Sequence, residues 1–119
     1  MAKALIVDDS RFMRRIIKSA LEEGGYEIVG EADNGADGIT LYKELKPDFV
    51  TMDITMGGKD GIRAVQEIHE FDKKARILVV SALNENTIKQ NEPKIKATAF
   101  ITKPFEKETL LELIKGILE

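Results

Sequence analysis

Five polar residues of this chain stand where short apolar runs end, the position at which a buried strand reaches solvent. They are Asp8, Asp9, Asp53, Ser81 and Lys103. Three are carboxylates, one is a hydroxyl and one is a cation. Carboxylates that lie close together raise one another's pKa unless a cation sits between them. If the fold gathers these residues, the site therefore calls for a metal ion as well as the lysine.

A hard divalent cation suits such a ligand set. Mg²⁺ prefers about six oxygen ligands and is usually held by one or two carboxylates, with waters and phosphate oxygens completing the shell. The sequence predicts direct ligation by Asp9 and Asp53, with Asp8 acting through a water molecule. A backbone carbonyl just after Asp53, most naturally that of Thr55, would add another oxygen.

The same residues suit phosphoryl chemistry. A carboxylate such as Asp53 can attack phosphorus and form an aspartyl phosphate, and phosphoryl transfer depends mainly on positioning and charge stabilisation. With Mg²⁺ on one phosphoryl oxygen, the Lys103 ammonium can reach a second and the Ser81 hydroxyl can donate to a third.

The elements that must position these residues alternate between short apolar runs and longer amphipathic ones. Strands are predicted over 4–7, 27–32, 49–52, 77–80 and 97–102. Helices are predicted from 10, 34, 60, 84 and 105, the fourth being weak and ending near 91. This (βα)₅ alternation indicates an α/β fold with a doubly wound parallel sheet and helices on both faces. Ligands of such sheets bind beyond the carboxyl ends of the strands, where the five polar residues stand.

Size and composition exclude several classes of protein. A chain of 119 residues can form one domain with a real core. Its net charge of −3 shows no basic excess for nucleic acid, and it has no cysteine for disulfides or thiolate metal sites. No apolar stretch approaches the roughly 20 residues of a membrane span, and no signal peptide begins the chain. We expect a cytoplasmic protein that binds neither nucleic acid nor membrane.

An ordered set of motifs resembles the receiver domain of bacterial two-component response regulators. The motifs are DD at 8–9, DITM at 53–56, SA at 81–82 and KPF at 103–105. The stretches EADNGADGI and PDFVTMDITM are most similar to stand-alone chemotaxis response regulators. The resemblance covers the whole chain and implies a flavodoxin-like fold with strand order 2-1-3-4-5. It also implies one receiver domain over residues 1–119, without an output domain.

The resemblance assigns roles to site residues one at a time. It implies that Asp53 is the phosphoacceptor and that Asp8 and Asp9 support Mg²⁺. Lys103 would pair with the phosphoryl group, and the bond from Lys103 to Pro104 would be cis. Such a protein is a signalling switch rather than an enzyme, although it supports its own phosphorylation and a slow autodephosphorylation.

The resemblance also implies a switch and two protein partners. Ser81 would bond the phosphoryl group, and Phe100 would change rotamer on activation. A histidine kinase would donate the phosphoryl group from a phosphohistidine. A downstream protein would dock on the face made by the fourth helix, fifth strand and fifth helix, and the chain itself would be a monomer.

Two stretches depart from the family pattern. Gly57 replaces the usual proline after the DITM motif and is followed by Gly58, so we expect this loop to be more mobile than in proline-bearing relatives. The fourth predicted helix reads NENTIKQNEPKIK instead of an Ala-rich sequence. Because partners dock on that face in the family, the resemblance predicts the identity of the partner less well than any other property.

Four alternative functions remain open from the residues. The nearest is a single-domain phosphorelay intermediate. A phosphohydrolase with an aspartyl nucleophile usually has a second acid two residues later, but this chain has Thr55. A flavin-binding protein needs a Gly/Ser/Thr-rich loop after the first strand, where this chain has DDSR. A receiver that has lost phosphorylation is supported only by Gly57.

Overall fold

The structure is a computed structural model that describes residues 1–54, 60–83, 86 and 96–119. Five parallel strands form one sheet in the order β2-β1-β3-β4-β5, which confirms the expected strand order. The strands are β1 Lys3–Val7, β2 Glu27–Ala32, β3 Phe49–Asp53, β4 Ile77–Ser81 and β5 Ala99–Thr102. The helices are α1 Arg11–Glu23, α2 Gly35–Leu45, α3 Asp60–Phe71 and α4 Lys107–Leu118. The predicted helix over 84–91 falls outside the described residues, except for position 86.

The sheet separates two apolar layers. One layer packs β-strand side chains against α2 and α3, through residues such as Tyr42, Val65 and Ile68. The other packs them against α1 and α4, through residues such as Ile17 and Leu110. The middle strands β3 and β4 are buried at every position, as expected for parallel strands covered on both faces.

Side-chain caps fix the starts of the first two helices, as the sequence predicts. The Ser10 hydroxyl accepts a hydrogen bond from the Met13 N–H at 3.1 Å, and the Asn34 side chain accepts one from the Asp37 N–H at 2.8 Å. Such caps satisfy N–H groups that have no partner within the helix. They set the points at which the chain leaves β1 and β2.

Two predicted boundaries are wrong at the fifth strand and the last helix. The strand begins at Ala99 instead of 97. Just before it, Thr98 contacts Ile77 of β4 twice: its N–H donates to the Ile77 carbonyl at 2.8 Å, and its hydroxyl accepts the Ile77 N–H at 3.0 Å. The last helix begins at Lys107 instead of 105. Phe105 packs partly buried against the α1/α4 layer, and Glu106 is the N-cap.

Two further predictions concern the loop after β3 and the absence of a membrane span. The expected mobility of the loop at Gly57 and Gly58 concerns positions 55–59, which the structure does not describe. Among the described residues, no helix is both long enough and apolar enough to span a membrane.

Candidate functional site

The register of the sheet brings the acidic residues together. Ile6 pairs with Thr51 across β1 and β3, and side chains two residues apart on a strand share a face. Asp8 and Asp53 therefore continue onto one face at neighbouring strand ends. Asp53 is the last residue of β3, one position later than the predicted end of that strand.

Lys103 reaches the same point from β5. Its N–H donates to the Ser81 carbonyl at 2.7 Å, which extends the β4–β5 ladder by one residue. Its ammonium nitrogen Nζ then donates to Asp8 Oδ2 at 3.1 Å and to Asp53 Oδ2 at 3.2 Å. The peptide bond to Pro104 is cis, as predicted. One lysine thus pairs with two carboxylates from two other strands.

All three members of this cluster are largely withdrawn from water. Asp8 is fully buried, Asp53 is 2% exposed, and the Lys103 side chain is 18% exposed. Buried charges are tolerated only where they are paired and hydrogen-bonded. The cluster meets that condition because Asp8 Oδ1 also accepts the Ser10 N–H at 2.8 Å.

Burial and charge shift the protonation of the cluster. Burial raises the pKa of Asp8, the Asp53 carboxylate raises it further, and the Ser10 N–H and the Lys103 ammonium oppose the rise. Burial lowers the pKa of Lys103, but the two carboxylates outweigh it and raise that pKa above its usual value. Lys103 therefore stays charged, while burial and the neighbouring Asp53 make the ionised form of Asp8 less favourable.

A third carboxylate, that of Asp9, completes a candidate metal site. Ligand oxygens of Asp8, Asp9 and Asp53 all lie within 4.8 Å of one another, and Asp9 is the exposed member. Among the described residues, the Lys103 ammonium pairs with Asp8 and Asp53 but not with Asp9, so the three carboxylates carry more negative charge than this lysine balances. Oxygen ligands of this kind and charge fit Mg²⁺. The predicted fourth ligand, the Thr55 carbonyl, falls outside the described residues.

The two predicted switch residues lie on the other side of the sheet. Val79 pairs with Phe100 across β4 and β5, and Ser81 follows Val79 by two residues, so Ser81 and Phe100 share a face. Phe100 is partly buried against the α2/α3 layer. Ser81 is fully buried, and its hydroxyl accepts the Leu83 N–H at 2.9 Å.

Two residues that support the site were not singled out by the sequence. Arg14 donates a hydrogen bond to the Asp8 carbonyl oxygen at 2.6 Å. A Cβ built on Gly61 would overlap the Asp53 carbonyl oxygen and lie 2.5 Å from the Ile54 Cα. The available signals were weak: a basic residue in the first turns of a helix, and a glycine just after the start of another.

The chain resembles known proteins along nearly its whole length. Residues 4–115 match the response regulator receiver domain family. The chemotaxis protein CheY of Bacillus subtilis is 46% identical over 116 residues, covering 98% of this chain and 97% of CheY. The CcdB protein of the same organism is 43% identical over 118 residues, covering 99% and 98% of the two chains.

A solved structure shows the same fold. A chain of the CheX–CheY–BeF₃–Mg²⁺ complex from Borrelia burgdorferi superposes with a TM-score of 0.91 and 32% identity. The match covers 99% of this chain and 90% of that chain. The five-stranded sheet and its flanking helices are therefore those of receiver domains.

Proposed function

This chain belongs to the response regulator receiver domain family, and we propose that it is a signalling switch phosphorylated on Asp53. The donor is the phosphohistidine of a sensor kinase, and the output is a changed affinity for another protein. One observation carries the proposal: Lys103 bridges Asp8 and Asp53 within a buried three-carboxylate cluster at the carboxyl edge of the sheet. That edge is where parallel sheets of this class bind ligands.

Asp53 acts as the nucleophile in the proposed reaction. One of its carboxylate oxygens attacks phosphorus and forms a P–O bond, while the P–N bond to the donor histidine breaks. The electron pair of that bond stays on the histidine nitrogen. The buried position of Asp53 excludes water from the new aspartyl phosphate, which favours a lifetime long enough to signal.

Positive charge must balance the phosphoryl group as it arrives. Asp8, Asp9 and Asp53, with the Thr55 carbonyl, would hold Mg²⁺, which when bound supplies positive charge beside the phosphoryl oxygens. Lys103 moves its ammonium from the two carboxylates to a phosphoryl oxygen. Lys103 is suited to this move because its long stem carries three rotatable donors.

The switch works through the opposite face of the sheet. Ser81 ends β4 one residue beyond Val80, which pairs with Asp53, so its hydroxyl can turn around the strand end from the Leu83 N–H to the phosphoryl group. Phe100 follows on the face that it shares with Ser81. The phosphoryl group thus selects one of two arrangements through contacts that exist in only one of them. Partner binding then changes on the face that includes β5 and α4. The resemblance also places the predicted fourth helix on that face, but that helix lies largely outside the described residues.

The relatives favour chemotaxis as the setting. Identity to CheY of Bacillus subtilis extends over 98% of this chain, and a structural neighbour is CheY in complex with CheX. We propose a motor or adaptor protein as the target, and a chain that works as a cytoplasmic monomer with one receiver domain over residues 1–119. The phosphorelay intermediate is the alternative, in which the phosphoryl group passes on to another histidine.

Intact-mass spectrometry tests the phosphoacceptor. The protein is incubated with a small phosphodonor, with and without Mg²⁺. We expect one added phosphoryl mass only with Mg²⁺, its loss in Asp53→Asn, and its retention in the exposed control Asp33→Asn. An adduct that persists in Asp53→Asn, or no adduct in the wild type, would contradict the proposal.

NMR with beryllofluoride and Mg²⁺ tests the switch. We expect shifts at Ser81, at Phe100 and along α4, with smaller changes on the exposed side of α2. Unchanged Phe100 signals in a protein that binds beryllofluoride would remove Phe100 from the switch. Rapid transfer of the phosphoryl group to a second histidine protein would favour the phosphorelay alternative.

A further inference from the structure

The Asp9 carboxylate is the least supported member of the acidic cluster. Asp8 is held by Ser10 and Lys103, and Asp53 is held by Lys103. Asp9 is exposed, and within the described part of the chain nothing is found to donate a hydrogen bond to its carboxylate. Its position therefore depends on the backbone that carries it.

That backbone is held by Arg14. The guanidinium Nη1 donates to the Asp8 carbonyl oxygen at 2.6 Å, and Nε lies 3.4 Å from Glu31 Oε1. The Asp8 carbonyl belongs to the planar peptide that joins Asp8 to Asp9, and that plane contains the Cα atoms of both residues. A hydrogen bond that fixes the carbonyl oxygen therefore restricts the orientation of both side chains. A charged donor makes this bond stronger than a neutral one.

The placement of Arg14 is unfavourable for its own helix. It lies one turn into α1, which has no acidic residue in its first turn. A cation near a helix N-terminus opposes the helix dipole. The Arg14 side chain is nevertheless only 17% exposed and is committed to contacts outside the helix, at the ends of β1 and β2.

We propose that Arg14 is a positioning residue that orients the Asp8–Asp9 peptide and thereby places Asp9 for Mg²⁺. Glu31 keeps the guanidinium in the orientation that this contact needs. This inference rests on the proposed function, because it assumes that the acidic cluster holds Mg²⁺.

Electrostatics and positioning predict opposite signs, which makes the proposal testable. Removing a cation beside an acidic site should strengthen Mg²⁺ binding if Arg14 acts only through its charge. Removing a group that places a ligand should weaken binding. Arg14→Met keeps the apolar stem of the side chain and removes its charge and donors. Arg15→Met is the matched control, since Arg15 is the exposed neighbour on the same helix.

Isothermal titration of Mg²⁺ into each metal-free protein gives the affinities. We expect Arg14→Met to bind Mg²⁺ about tenfold more weakly than the wild type, and Arg15→Met to bind within about twofold of it. Equal or tighter binding by Arg14→Met would overturn the proposal. If Arg14→Met does not fold, Arg14→Lys replaces it: a point-charge ammonium cannot serve the carbonyl and Glu31 as a fork does, so binding unchanged from the wild type would also overturn the proposal.

A second measurement separates this inference from the metal site itself. The ¹³C carbonyl shift of Asp8 in the metal-free protein should move in Arg14→Met and stay in place in Arg15→Met. A wild type that binds no Mg²⁺ would refute the proposed metal site, and Arg14 would lose its role with it. A wild type that binds Mg²⁺ while Arg14→Met leaves the Asp8 shift unchanged would refute only the role of Arg14.

Discussion

Two layers of side chains on the same face of the sheet differ by only two residues along each strand. The packing layer consists of Ile6, Thr51 and Ile101. The charged layer consists of Asp8, Asp53 and Lys103. Both layers are largely buried: Ile101 is 6% exposed and Asp53 is 2% exposed. Burial therefore does not distinguish them, and their chemistry does.

The difference teaches how the fold divides its tasks. Burying an apolar side chain stabilises the folded state by about 1.5–3 kcal/mol, whereas burying charges costs stability unless they are well paired. The packing layer therefore stabilises the fold. The charged layer, two residues further along each strand, forms the candidate site and depends on the packing layer for its position. Four substitutions test this division, from the largest expected effect to the smallest.

Truncation in the packing layer should have the largest effect. Ile6→Ala removes a fully buried side chain and should lower the free energy of unfolding by about 3 kcal/mol, since large-to-small core substitutions leave a cavity. Urea denaturation measures the loss. The exposed Ile16→Ala on α1 is the control and should cost less than 1 kcal/mol. Similar losses in the two variants would show that Ile6 is not part of a packed layer.

A side chain at position 61 should displace the backbone that carries Asp53 of the charged layer. The added Cβ meets backbone atoms of Asp53 and Ile54, which cannot move aside as a flexible side chain can. We expect Gly61→Ala to lose about 2 kcal/mol of stability, because overpacking forces the backbone to shift, and to slow the phosphorylation of Asp53.

Gly116→Ala is the matched control in another helix. A Cβ there meets no heavy atom within 4 Å, so alanine should raise stability by up to about 1 kcal/mol through its higher helix propensity. Thermal denaturation of both variants measures the contrast. Equal stability changes would show that close approach to Asp53 is not what requires glycine at 61.

Neutralising Asp8 should stabilise the metal-free protein. Burial and Asp53 raise the pKa of Asp8 in the folded state, so the folded protein binds more protons than the unfolded chain between the two pKa values. Stability therefore falls as the pH rises through this window. At pH 7, Asp8→Asn should therefore be more stable than the wild type, and the gain should disappear as the pH falls below the pKa of Asp8 in the unfolded chain.

Denaturation in EDTA across this pH range checks the sign. A wild type that is more stable than Asp8→Asn at pH 7 would mean that the Lys103 pair outweighs the cost of burial. With Mg²⁺ added, the stability difference between Asp8→Asn and the wild type should become smaller or change sign, because Mg²⁺ that binds only the folded wild type stabilises it.

The smallest effect should come from a buried hydroxyl in the packing layer. Thr51 is 1% exposed, and its Oγ1 has no hydrogen-bond partner among the described residues. Thr51→Val keeps the shape and removes the cost of burying an unpaired polar atom. We expect a gain of about 0.5 kcal/mol by urea denaturation, with phosphorylation unchanged. A loss of stability would indicate that a partner, such as a water molecule, satisfies the hydroxyl.

Local pattern was sufficient for most of the fold. The apolar runs and the caps at Ser10 and Asn34 identified the strands and the first helices, because both depend on residues near one another in sequence. The larger boundary errors, of two residues at the starts of β5 and α4, occur where Thr98 and Phe105 pack against other parts of the chain. Thr98, for example, makes two hydrogen bonds to Ile77 of β4, and no local pattern reveals that contact.

The positions of polar residues at the ends of apolar runs were enough to predict the candidate site. Asp8, Asp9, Asp53, Ser81 and Lys103 are recognisable because each polar group ends a predicted strand, and parallel strands end at one edge. The tertiary structure alone decided how these groups pair. It set the Lys103 bridge between Asp8 and Asp53, the opposite face for Ser81, and the supports at Arg14 and Gly61. These properties depend on strand register and on close approaches between chain segments far apart in sequence, which a single sequence does not encode locally.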